Sequence, residues 1–120
     1  MKVAVIGSRT YKNQVFATKA LDLIHKELNI TELISGGAIG PDKLSELWAK
    51  KNRISTRIIY PDWEHLGKSA GFQRNHQIVA AAQIVVAFWD GNSKGTAHSI
   101  NLARSKGIDV LVFNEAGELQ

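Results

Sequence analysis

Five short apolar runs recur along this 120-residue chain, and a stretch of helical spacing separates each from the next. That alternation constrains the fold more than any other feature. The runs are Val3 to Ile6, Thr31 to Ser35, Ile54 to Tyr60, Ile84 to Trp89 and Val110 to Phe113. Between Gln14 and Leu28, the residues Ala17, Ala20, Leu21, Ile24 and Leu28 fall at the i, i+3, i+4, i+7 positions of one helix face. Further helices are expected from Pro41 through Leu44, Leu47 and Trp48, from about Gly71 through Ile78, Val79 and Ala82, and from Gly95 or Thr96 to Lys106, with Gly107 as a stop. Pro61 to Ala70 is the longest irregular stretch, and the residues after Phe113 are expected to form a mobile tail.

Strands that alternate with helices call for a parallel sheet covered on both faces. Its strands are buried on both sides, which is why they read as continuous apolar runs. Crossovers in such sheets are right-handed, so the expected fold is α/β: a single-domain, three-layer, doubly wound parallel sheet of about five strands. A chain of this length buries about two thirds of its unfolded surface and needs no staple. It has no cysteine, which excludes a disulfide framework, a thiolate zinc site, an iron–sulfur cluster and a cysteine nucleophile. No apolar run approaches the ~18 residues of a membrane span, and Lys2 to Ile6 is strand-like rather than a secretory leader, so a cytoplasmic protein is expected.

Ligands of doubly wound sheets bind beyond the carboxyl ends of the strands, where the strand order reverses. The loops there are Gly7-Ser8-Arg9-Thr10, Ser35-Gly36-Gly37-Ala38-Ile39-Gly40-Pro41-Asp42, Pro61-Asp62-Trp63 and Asp90-Gly91-Asn92-Ser93-Lys94-Gly95-Thr96. Glycines let backbone N–H groups approach an anion, and the following helix adds the positive end of its dipole. Two such loops open helices, with Arg9 and Lys94 beside them, which predicts a phosphate-binding site. Asp42 follows Pro41 and suits either a helix N-terminus or ligand hydroxyls. Trp63 and Trp89 lie at the same edge and could stack on a base.

Three other motifs fail. Gly67-Lys68-Ser69 lacks the glycine five positions earlier that a P-loop needs, because Asp62 stands there. Ser35-x-Gly37-x-x-Gly40 has serine in place of the first glycine of a dinucleotide fingerprint and follows the second strand. Gly91-Asn92-Ser93-Lys94-Gly95 resembles a nucleophile elbow, but His98 comes too soon to complete the triad. The histidines 25, 65, 76 and 98 show no metal-ligand spacing, and His25 is expected on the exposed side of the first helix. The net charge of +4 comes from 15 basic and 11 acidic residues, and no Lys/Arg run exceeds the pair Lys50-Lys51. A nucleic-acid footprint is normally clustered, so nucleic acid is expected to be an unlikely partner.

The combination Gly7-Ser8-Arg9, Ser35-Gly36-Gly37-Ala38-x-Gly40-x-Asp42, Pro61-Asp62-Trp63, Gly67-Lys68-x-Ala70-Gly71-x-x-Arg74-Asn75 and Phe88-Trp89-Asp90-Gly91-x-Ser93-x-Gly95-Thr96 resembles the YspA-like, phage-associated branch of the SLOG superfamily. This resemblance implies a Rossmann-like domain over residues 1–120, related to the LOG phosphoribohydrolases and to DprA. It implies a nucleotide-type pocket formed by Gly36, Gly37, Gly40, Gly91, Ser93, Gly95 and Thr96, with Arg74 and Asn75 reaching in from the third helix. The full set of expected ligand-binding residues adds Gly7, Ser8, Arg9, Asp42 and Asp90. The expected function is binding of a nucleotide-derived small molecule, an ADP-ribose or NAD relative or a nucleoside phosphate, as a sensor, sequestering or processing protein. No other cofactor and no metal is expected. One alternative is a LOG-like phosphoribohydrolase that cleaves the N-glycosidic bond of a nucleoside monophosphate. In LOG enzymes the motif Gly-Thr-x-x-Glu carries the catalytic acid, and Ser99 stands at that place here. Asp42, Asp90 and Arg74 are the remaining catalytic candidates, since a carboxylate near an oxocarbenium-like centre needs only proximity. A further alternative is a DprA-like nucleic-acid-binding accessory protein. Short helices and three tryptophans, with the dimers of LOG-type relatives, predict a homodimer or larger oligomer built on the third or fourth helix.

Overall fold

The computed structural model describes residues 1–120. Five strands, β1 (Lys2–Gly7), β2 (Glu32–Ser35), β3 (Ser55–Ile58), β4 (Ile84–Phe88) and β5 (Asp109–Phe113), form one sheet in the order β3-β2-β1-β4-β5. Every neighbouring pair is parallel. The helices are α1 (Gln14–Leu28), α2 (Pro41–Lys51), the single turn α3 (Trp63–Leu66), α4 (Ala70–Ala81) and α5 (Lys94–Ser105), with a 3-10 turn at Gly67–Ser69 between α3 and α4.

Alternation along the strands builds the two cores. Val3 and Val5 of β1, with Leu33 and Val86, pack under Ala17, Leu21 and Ile24 of α1 and Trp48 and Ala49 of α2. Ala4 and Ile6, with Ile34, Val85 and Ala87, pack under Ile78 and Val79 of α4 and Ile100 and Ala103 of α5. Successive side chains of a strand point to opposite faces, so a strand covered twice must be apolar at every position. The edge strands are less covered: Ser55, Thr56 and Arg57 of β3 and Asp109 of β5 are exposed.

Three expectations change. The stretch before Ala70 is not wholly irregular, because the Asp62 carboxylate accepts from the His65 N–H at 3.2 Å and caps α3. The chain end folds back: Gln120 N–H donates to the Val112 carbonyl at 2.7 Å and Leu119 bridges to Phe113. His25 is half-buried, its Nδ1 accepting from Ile30 N–H at 3.1 Å and its ring edge-on to Trp48. Trp48 itself is in the core, with its indole N–H donating to Asp22 at 2.8 Å. No helix is long and apolar enough to cross a membrane.

Candidate functional site at the switch point

β1 sends its crossover to β2 on one side, and β4 returns on the other, so the loops after β1 and β4 part. A cleft of about 540 Å³ opens between them, roofed by α4. Its floor and walls come from Gly7 to Thr10 after β1, Ala38 and Asp42 after β2, Asp90, Ser93, Gly95 and Thr96 after β4, and the Gly71, Phe72, Arg74, Asn75 and Ile78 face of α4. Trp63 and Lys68 close the rim.

The β1 and β4 loops are stitched together. Ser8, almost wholly buried, donates its N–H to the Phe88 carbonyl at 3.0 Å and accepts from Asp90 N–H at 3.1 Å. The Asp90 carboxylate accepts from the amides of Asn92 and Ser93 at 2.8 Å each and from the Thr10 hydroxyl at 2.7 Å. The two amides, then the hydroxyl, hold its pKa down to about 2. Ser93 caps α5 through Thr96 N–H, and the Trp89 indole N–H donates to the Ser93 carbonyl at 3.1 Å. Trp89 thus braces this loop, whereas Trp63 is 58% exposed at the cleft mouth.

The β2 loop presents a different carboxylate. Asp42 lies in the first turn of α2 and is buried, with Oδ2 accepting from Ala38 N–H at 3.2 Å. Burial pushes its pKa up to about 6, against the opposing pull of the Ala38 amide and the Arg74 guanidinium. Arg74 is half-buried. Its Nη1 donates to the Gly36 carbonyl at 2.7 Å and its Nε to Asn75 Oδ1 at 3.1 Å. Burial lowers its pKa, and Asp42 opposes that.

Of the expected ligand residues, Gly7, Ser8, Arg9, Asp42, Arg74, Asn75, Asp90, Ser93, Gly95 and Thr96 meet in this cleft. Gly36, Gly37, Gly40 and Gly91 do not line it. Gly37, at φ +73°, lies under the Tyr60 ring, and Gly40, at φ +90°, abuts the carbonyls of Ser8 and Arg9. Their small size serves loop packing. Gly95 faces open space. Ser99 is buried and does line the cleft, so the place of the LOG-type acid carries a hydroxyl. Sequence reasoning missed Lys68 and Phe72. The signal was present in the spacing of Gly71, Arg74, Asn75 and Ile78, which puts one face of α4 toward the loops.

Residues 1–65 match the YspA, cpYpsA-related SLOG family. Over 121 aligned residues, covering 95% of this chain and 97% of the relative, the chain is 34% identical to the Gene 61 protein of Mycobacterium phage D29. The chain belongs to the YspA, cpYpsA-related SLOG family. Its fold is shared with DNA processing protein A (DprA) from Streptococcus pneumoniae, at TM-score 0.77 and 22% identity over 93% of this chain. It is shared equally with DprA from Helicobacter pylori, described as having a unique single-stranded DNA binding mode, at TM-score 0.74 and 21% identity over 94% of this chain. The chain spans about half of the first DprA chain, 50%, and 65% of the second.

The expectation that nucleic acid is an unlikely partner is corrected by this likeness, since a protein of the same fold is described as binding single-stranded DNA. A clustered run in sequence is not required where cations converge in space, and Arg9, Lys68 and Arg74 reach one cleft from three segments.

Proposed function

We propose that the switch-point cleft binds a nucleotide-derived small molecule, of the ADP-ribose or nucleoside phosphate class, through its phosphate groups. The observation that carries this is the convergence on one cleft of Arg9, Lys68 and Arg74 with the open N-terminal turn of α5. Cations and unencumbered backbone at a helix start are the chemistry of phosphate recognition. Trp63 and Phe72 are half or more exposed at the same cleft and offer a face for the base. A volume near 540 Å³ suits such a ligand.

If the bound molecule is turned over, Asp42 is the better proton donor. Asp90 is held too acidic to keep a proton at neutral pH, and its oxygens already serve three donors. A second reading places single-stranded nucleic acid in the same cleft. It is favoured by the exposed aromatics beside three cations and by the fold shared with DprA.

Calorimetric titration with ADP-ribose, NAD and nucleoside monophosphates tests the first reading, together with the mass of any small molecule that co-purifies with the folded chain. Micromolar binding of a nucleotide, weakened by about 1.5–3 kcal/mol in Arg74→Ala, supports it. Affinity for an oligonucleotide alone, with a steep salt slope, would favour the second.

A further inference from the structure

Arg74 is held at two points, and the second leads away from the cleft. Its Nε–H can only donate, so the Asn75 amide must present Oδ1 to it, at 3.1 Å. That fixes the other end of the amide. Asn75 Nδ2, which also can only donate, lies 3.2 Å from His98 Nδ1. The nitrogen facing it must accept, so His98 is the neutral ring with its proton on Nε2. Asn75 is buried, only 8% exposed, so its amide depends on these protein partners.

We propose that His98 is a positioning residue for Arg74, acting through Asn75, and that protonation of the His98 ring releases the guanidinium from this hold. A protonated ring sets an N–H against the Asn75 NH2. Turning the amide over repairs that contact but sets the NH2 against Arg74 Nε–H. The amide can keep only one of the two bonds, so a proton taken up on α5 competes directly with the hold on Arg74 Nε, and each turn of the amide toward His98 frees the guanidinium.

The surroundings suit a ring kept neutral. From α4, His98 faces His76, ring centroids 5.7 Å apart, and Phe72, ring centroids 4.7 Å apart in a T-shaped pair. The strands beneath α5 present apolar side chains, Val85, Ala87 and Val112 among them. On its own helix Lys94 lies one turn earlier, and beyond Asn75 stand Arg74 and Asp42. Burial and then His76 lower the His98 pKa.

The test follows the labelled protein by NMR from about pH 8 to about pH 5, the range in which histidines titrate. The Nε2–H tautomer is expected at the upper end. The Arg74 Nε–H resonance should shift and lose exchange protection with the midpoint of His98. His98→Gln offers an amide oxygen at every pH, so there the Arg74 signal should stay fixed. His76→Gln removes a like charge, so both midpoints should rise together. A flat Arg74 signal in the wild type, or an unchanged transition in His98→Gln, overturns the proposal.

A second arm rests on the nucleotide reading of the cleft and uses ADP-ribose, whose pyrophosphate does not titrate in this range. Wild-type affinity should fall relative to His98→Gln by about fivefold across the transition, the worth of one ordinary hydrogen bond. Asp42 and every other acidic group of the cleft are the same in both proteins, so the ratio isolates His98. Identical pH profiles overturn the proposal. Absence of ADP-ribose binding in both proteins counts against the nucleotide reading alone, and the Arg74 resonance still decides the relay.

Discussion

Arg74 Nη1 donates to the Gly36 carbonyl at 2.7 Å and occupies the space a side chain at residue 36 would need. A Cβ there would lie 2.6 Å from Nη1 and 2.9 Å from Asp42 Oδ2. The glycine is therefore what lets a cation from α4 and a carboxylate from α2 meet over the β2 loop. Gly36→Ala should cost about 1–3 kcal/mol of stability through overpacking and should displace Arg74 from the cleft. Urea unfolding reads the first effect, and loss of nucleotide affinity by calorimetry reads the second. A fully stable variant of unchanged affinity would show that Arg74 does not depend on this seat.

Gly95 tests the opposite case. It stands in the first turn of α5 with nothing within 4 Å of an added Cβ. Gly95→Ala should stabilise the free protein by roughly 0.5–1 kcal/mol, the helix-propensity difference. The same methyl group would stand where a phosphate approaches the backbone, so nucleotide affinity should fall at least about tenfold, or ~1.4 kcal/mol. Gain of stability with no loss of affinity would remove the α5 terminus from the site.

Trp63 is expected to act on ligand and not on folding. At 58% exposure it contributes little to either core. Trp63→Ala should change stability by less than about 0.5 kcal/mol and weaken binding by about 1–3 kcal/mol if it stacks on a base. Thermal unfolding and calorimetry on the same sample separate the two.

Asp42 makes the fold pH-sensitive in a direction unusual for an aspartate. Its folded pKa is raised from 3.8 to about 6, so between those values the folded state binds more protons than the unfolded one. Stability should therefore fall as pH rises through that window, by on the order of 3 kcal/mol. His98 acts oppositely: its folded pKa is lowered, so its contribution is lost as pH falls below the ordinary histidine value. Urea midpoints of the wild type and Asp42→Asn across pH separate them. The difference between the two should shrink as pH falls toward 4, and a constant difference would contradict the burial of a charge-averse Asp42.

Much of the frame was legible because each of its rules is local. The apolar runs of β1 and β4 declare double coverage, and Ala17, Leu21 and Ile24 declare the inner face of α1. The glycine loops mark the sheet edge where the cleft opens. The glycines themselves divide by what surrounds them. A sequence cannot separate a glycine that leaves open space above the backbone, such as Gly95, from one that makes room for Tyr60 or Arg74, such as Gly37 or Gly36. Convergence of distant cations was equally hidden, as was the chain from Arg74 through Asn75 to His98, which crosses between helices. Of the three tryptophans, burial assigns Trp48 to the core and the Ser93 carbonyl assigns Trp89 to a loop.

The central claim is that the switch-point cleft takes a phosphate-bearing nucleotide. Its most direct test is an amide-resolved NMR titration of the wild-type chain with ADP-ribose. Saturable shifts are expected at Ser8, Arg9 and Ala38, at Gly95 and Thr96, and at the Trp63 indole, with none along the separate groove formed by Lys43, Lys50 and Arg53. Shifts confined to that second groove, or an unperturbed spectrum at millimolar ligand, would contradict it.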